Sequence, residues 1–110
     1  MSYLGEFEQL ILFALLRLGE DAYGVAIREI IEERTGRAVS AGAIYTALGR
    51  LEERGLVRSR VDAGREGRMG RPRKYYELRP AGARALKDSY ATIQSMAGGM
   101  ISKLTELVEE

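Results

Sequence analysis

Apolar residues recur along this chain at three- and four-residue intervals, interrupted once by a stretch that alternates every second residue. The segment 5–18, GEFEQLILFALLRL, places Phe7, Leu10, Ile11, Ala14 and Leu18 on one face of a helix that ends before Gly19. Leu12, Phe13, Leu15 and Leu16 cover the rest of its circumference. A helix apolar nearly all round must be buried on more than one side. In so short a chain, a second subunit is expected to cover part of it. Residues 22–35, AYGVAIREIIEERT, form a second helix with Asp21 as N-cap and Gly36 just past its end. Its inner stripe is Tyr23, Ile27, Ile30 and Ile31, and Arg28, Glu29, Glu32 and Glu33 face water.

After the connector GRAV, Ser40 caps a third helix that runs to Gly55. Ile44, Ala47, Leu48 and Leu51 form its buried stripe, which leaves Ala43, Tyr45, Thr46, Gly49, Arg50, Glu53 and Arg54 off it. The period then changes. LVRSRVD at 56–62 alternates Val57, Ser59 and Val61 against Arg58 and Arg60, and KYYELR at 74–79 matches it as a second strand. The pair reads as a hairpin with a long, glycine- and arginine-rich tip.

Pro80 suits the first position of a helix. From there Ala83, Leu86, Tyr90, Ile93, Ala97, Met100, Leu104 and Leu107 follow a heptad spacing. One continuous helix of this length would extend some 40 Å at 1.5 Å per residue. That is longer than a domain of this size covers, so packing against a second copy is expected. Gly98 and Gly99 fall beside the seam and mark a bend, a close backbone approach or a break into two helices. The sequence leaves these three open.

The order helix, helix, helix, hairpin, long helix is that of a winged helix-turn-helix. The fold class is therefore mainly α with a small β-hairpin. Residues 1–79 form the winged helix-turn-helix domain, with the wing at 56–79, and residues 80–110 form a C-terminal dimerisation helix. In this arrangement the third helix enters the major groove, and the wing lies along the backbone or the neighbouring minor groove.

Charge sharpens the reading. The net charge of +1 hides an asymmetry: residues 1–35 carry net −4, residues 36–79 net +6, and residues 80–110 net −1. A basic middle between acidic ends suggests one polyanion-binding face. The wing tip concentrates Arg65, Arg68, Arg71, Arg73 and Lys74 among glycines, which lets cations approach phosphates closely. With no cysteine and no histidine there is no thiolate metal site, and the commonest general base is missing. No glycine-rich loop joins a strand to a helix in a phosphate-binding pattern. An enzyme is not expected, and neither is a cofactor or a metal. The first residues lack a basic n-region, and the longest apolar run, LILFALL, is too short to span a bilayer. A cytoplasmic protein without membrane attachment is expected.

Three blocks, LGEFEQLILFALLRLGEDAYGVAIREI, SAGAIYTALGRLEERGLV and GRPRKYYELRPAG, resemble the PadR family of bacterial transcriptional regulators over residues 4–90. The resemblance implies a winged-helix DNA-binding domain, a C-terminal dimerisation helix and repression of a nearby promoter. The single helix after the wing resembles the small subfamily. Carried over, the family's motifs place Ser40, Tyr45, Thr46 and Arg50 against DNA from the third helix. They place Arg71, Arg73 and Lys74 against DNA from the wing; Arg65 and Arg68 are added from charge and position. The chain departs from the family pattern at Ala43, where Thr is common, and at Thr46, where Pro is common. It also has Arg79 where a Thr cap often stands.

A homodimer on a pseudo-palindromic operator in double-stranded DNA follows from this reading, with half-sites about one helical turn apart. Leu12, Leu16, Leu86, Tyr90, Ile93, Ala97, Met100, Leu104 and Leu107 are the candidate interface. A small-molecule inducer is a further expected partner, with Phe7, Tyr90, Met96 and Met100 as candidate pocket residues and Tyr3 beside them. The alternative is a winged-helix adaptor that binds proteins without sequence-specific DNA binding.

Overall fold

Ile11 and Leu12 are both fully buried although they point in different directions around α1 (Glu6–Leu18). The computed structural model, which describes residues 3–62 and 72–110, explains this by making α1 the central helix. It packs against α2 (Gly24–Thr35), α3 (Ala41–Glu53), α4 (Pro80–Ala97) and the second hairpin strand. The protomer itself therefore buries most of the circumference that the sequence assigned in part to another subunit. Leu16, at 58 % exposure, is the large apolar residue of α1 left bare. At the start of α1 the Gly5 N–H donates to Glu8 Oε1 at 2.9 Å, satisfying one of the helix's orphan donors.

Asp21 does not cap α2. Gly19–Asp21 form a 3-10 turn, Ala22 and Tyr23 leave it, and α2 begins at Gly24. The backbone here is used by the hairpin: the Ala22 carbonyl accepts from the Tyr76 N–H at 2.8 Å, and Tyr23 forms a β-bridge with Tyr75. A short extended segment thus flanks the two strands. At the other end of α2, Gly36 takes a left-handed conformation (φ 71°), and its N–H returns to the Glu32 carbonyl.

The Ser40 Oγ accepts from the Ala43 N–H at 3.0 Å, so the N-cap of α3 is as expected. Ile44, Ala47, Leu48 and Leu51 are buried. Strands β1 (Val57–Asp62) and β2 (Arg73–Leu78) pair antiparallel, with Ser59 opposite Tyr76 and Arg60 opposite Tyr75. Val61 shares a face with Val57 but is exposed. The hairpin has run past the core by then, and its cross-strand partner is the exposed Lys74.

Pro80 opens α4, as expected. The end of the chain is different: α4 stops at Ala97, Gly99 takes φ +77°, and a separate α5 follows at Ile101–Val108. The glycine pair breaks the helix, because the left-handed residue redirects the backbone. The heptad seam is therefore divided between two helices. The Arg79 N–H donates to the Leu56 carbonyl at 3.0 Å, anchoring the start of α4 to the hairpin. Among the described residues no helix is long and apolar enough to cross a membrane.

Candidate nucleic-acid interface

The buried stripe of α3 turns its opposite face outward, and Tyr45, Thr46, Gly49 and Arg50 all lie on that exposed face. Ser40 is exposed at its end, with its hydroxyl engaged in the cap. Tyr45 is half exposed, and its phenol end lies directly against Gly24 at the start of α2. Among the described residues Arg50 has no ion-pair or hydrogen-bond partner, so its charge is available.

Several other cations of the basic middle are committed internally. Arg37 Nη2 meets Glu6 Oε1 at 2.8 Å. Arg54 meets Glu8 Oε2 at 3.1 Å and donates to the Tyr3 carbonyl at 2.8 Å. Arg58 pairs with Glu77 across the hairpin. Arg37 and Arg54 thereby spend charge on acids of α1, outside the basic middle, so the net +6 of residues 36–79 overstates the free positive charge.

On the wing, Lys74 is exposed and lies 5.7 Å from the Tyr76 ring centroid. Arg73 is half-buried, its guanidinium 4.0 Å from the centroid of Tyr23. Arg65, Arg68 and Arg71 lie outside the described residues. The hairpin is tied to the third helix by Glu52, whose Oε2 accepts from the Ser59 hydroxyl at 2.7 Å and from the Ser59 N–H at 3.1 Å. The Ser59 hydroxyl holds the Glu52 carboxyl below its ordinary range, with help from the Ser59 N–H and Lys74 against partial burial. Burial, then the neighbouring Glu52 charge, pushes the Tyr76 phenol up.

Two of the expected interface residues face inward. Leu12 and Leu86 are buried in the protomer's own core and offer no surface to a partner. Leu16, Tyr90, Ile93, Met100, Leu104 and Leu107 are exposed, and Ala97 is half-buried. The expected pocket residues are dispersed. Tyr90 packs edge-to-face on Phe13, with centroids 5.8 Å apart, and lines a groove of about 400 Å³ with Leu10, Ile30, Arg17 and Arg34. Phe7 packs on the core, whereas Met96 is exposed on the far part of α4, and neither belongs to that groove; nor does Met100.

Tyr23, Gly24, Glu52 and Arg60 were not singled out as site residues by the sequence reading. Their roles depend on contacts between segments far apart in the chain, which periodicity within one segment does not report.

The three-helix core, the exposed α3 face and the flanking hairpin define a winged helix-turn-helix protein. The chain belongs to the PadR-like family of transcriptional regulators, whose family model matches residues 11–88. It is similar to a PadR family transcription regulator from Clostridium difficile, at 28% identity and TM-score 0.74, with 91% of this chain and 99% of that one covered. A PadR family regulator from Eggerthella lenta is 33% identical at TM-score 0.70, with 92% and 87% covered. Bacillus subtilis PadR in complex with operator DNA is 26% identical at TM-score 0.63, with 74% of this chain and 45% of that one covered. Comparison with curated proteins gives no match.

Proposed function

We propose that this protein is a DNA-binding transcriptional repressor that reads a pseudo-palindromic operator as a homodimer in the bacterial cytoplasm. One observation carries the reading: α3 is capped and buried along one stripe, while Tyr45, Thr46 and Arg50, which has no partner among the described residues, stand uncovered beside a hairpin that presents Lys74. An exposed helix face of this composition suits hydrogen bonding to base edges in a major groove. Lys74, with the wing arginines Arg65, Arg68 and Arg71, supplies phosphate contacts. The family relative solved on operator DNA supports the same use of the fold.

The dimer rests on exposed apolar surface. Tyr90, Ile93, Met96, Met100, Ile101, Leu104 and Leu107 stand bare along α4 and α5, and α5 has no buried residue. Apolar exposure on this scale, in one segment, marks an association surface, and a second copy covers it here. A small-molecule inducer acts by binding one arrangement of the two heads better than the other.

Selection of bound sequences from a random duplex pool tests the reading. A two-fold symmetric consensus with half-sites about one helical turn apart is expected. Recovery of an unenriched pool, together with capture of a protein partner through the α3 face, would favour the adaptor alternative instead.

A further inference from the structure

Arg73 and Lys74 are adjacent on β2, so their side chains leave opposite faces of the hairpin. They cannot both face one row of phosphates. Lys74 lies on the face that carries Ser59, Val61 and Tyr76. Arg73 lies on the other, with Arg60 and Tyr75, and there it stacks 4.0 Å above the Tyr23 ring. The Tyr23 ring meets Tyr75 edge-to-face at 5.6 Å, and the Arg60 guanidinium lies 4.6 Å from the Tyr75 centroid. Arg60 Nη2 also donates to the Glu20 carbonyl at 3.3 Å. Two rings in contact, Tyr23 and Tyr75, thus stand between two cations, Arg73 and Arg60, across three chain segments: β1, β2 and the extended piece before α2.

We propose that Arg73 is a positioning residue that sets the wing's orientation through Tyr23, and that it is not itself a phosphate ligand. The proposal rests on the DNA-binding reading above. A guanidinium over an aromatic face is attracted by the ring's quadrupole, and a half-buried one loses that attraction if it swings out to a phosphate. The backbone bridge between Tyr23 and Tyr75 and the bond from the Tyr76 N–H to the Ala22 carbonyl hold the same two segments together. The Arg73–Tyr23 contact lies nearer the tip than either, so it holds the start of β2 against the segment before α2. Tyr23 thereby becomes part of the DNA-binding apparatus without touching DNA.

The test compares Arg73→Gln, Tyr23→Leu, Tyr23→Phe and the Arg73→Gln/Tyr23→Leu double variant on a selected duplex across a salt series. Expected are a loss of about two- to fivefold in affinity for Arg73→Gln and for Tyr23→Leu, and no further loss in the double variant. Tyr23→Phe, which keeps the ring, behaves as wild type. The salt slope falls by the same amount in Arg73→Gln, in Tyr23→Leu and in the double variant, because all three loosen the same wing contacts to phosphate, and footprints lose wing protection while α3 protection in the major groove persists. A merely structural defect would weaken both protections together. The proposal is overturned if Arg73→Gln lowers the slope by about 0.9 per chain, the value of one lost phosphate contact, while Tyr23→Leu binds as wild type. If wild type binds no duplex, the DNA-binding reading fails and takes this proposal with it. If wild type binds and only the coupling is absent, this proposal alone fails.

Discussion

The phenol of Tyr45 sits where a side chain at Gly24 would begin: a Cβ built at Gly24 falls 2.3 Å from Tyr45 Oη. The absence of a side chain on α2 thus sets the pose of the aromatic residue on the exposed face of α3. In Gly24→Ala the half-exposed ring is the part able to move, so it swings aside. Replacing Gly by Ala where the backbone suits both lowers the unfolded chain's entropy, a gain of about 0.4–1 kcal/mol that offsets the lost contact. The expected outcome is an unfolding midpoint close to wild type with a reduced preference for the operator over scrambled duplex, as for Tyr45→Ala. Thermal melts and competition binding check the two halves separately.

Gly82 presents the opposite case. A Cβ there falls 2.1 Å from the Leu56 carbonyl oxygen and 2.9 Å from Leu78 Cδ1. The obstacle is backbone, anchored by the Arg79 N–H, and it has no rotamer to change. Gly82→Ala is expected to cost about 1–3 kcal/mol, the range of forced overpacking, read from urea unfolding.

Glu52 joins α3 to the wing through Ser59, and its carboxyl lies below the ordinary range because Ser59 donates to it. A depressed carboxyl stabilises the fold above its unfolded-state pKa, and that contribution disappears as acid protonates it. Wild type is therefore expected to lose more stability than Glu52→Gln between neutral pH and about pH 3. Ser59→Ala should lose most of the difference too. Melting temperatures across the acid range check this.

Core and interface residues of the C-terminal half should separate cleanly. Leu86 is buried within the protomer and Ile93 is exposed on the same helix. Leu86→Ala is expected to cost about 2–5 kcal/mol. If the proposed dimer forms through this face, Ile93→Glu should leave the chain folded and monomeric where wild type is dimeric, as read by sedimentation equilibrium alongside circular dichroism.

Much of this architecture was legible in the sequence because it is local. The four-residue stripe Ile44, Ala47, Leu48 and Leu51 fixed the inner side of α3, and Ser40 fixed its start. By the same logic Tyr45, Thr46 and Arg50 could be placed on the outer face. What the sequence left open, or put elsewhere, depended on distant partners. The start of α2 moved to Gly24 because Ala22 and Tyr23 pair with the hairpin, a contact no local period encodes. Leu12 read as surplus apolar area on α1 until four other elements were seen to surround that helix. The glycine pair at 98–99 allowed three outcomes, and only the backbone conformation of Gly99 distinguishes them. Net charge does not report pairing: Arg37, Arg54 and Arg58 pair with acids, whereas Arg50 has no such partner among the described residues.

The most direct test of the central claim is fluorescence anisotropy of wild type and Arg50→Ala on a selected duplex and its scrambled counterpart, at low and moderate salt. Wild type is expected to prefer the selected duplex and to weaken steeply with salt, with a slope of about −0.9 per phosphate contact. Arg50→Ala should lose most of the preference and keep most of the binding to scrambled duplex. Equal affinity of wild type for both duplexes, or no binding even at low salt, would show that α3 does not read DNA sequence.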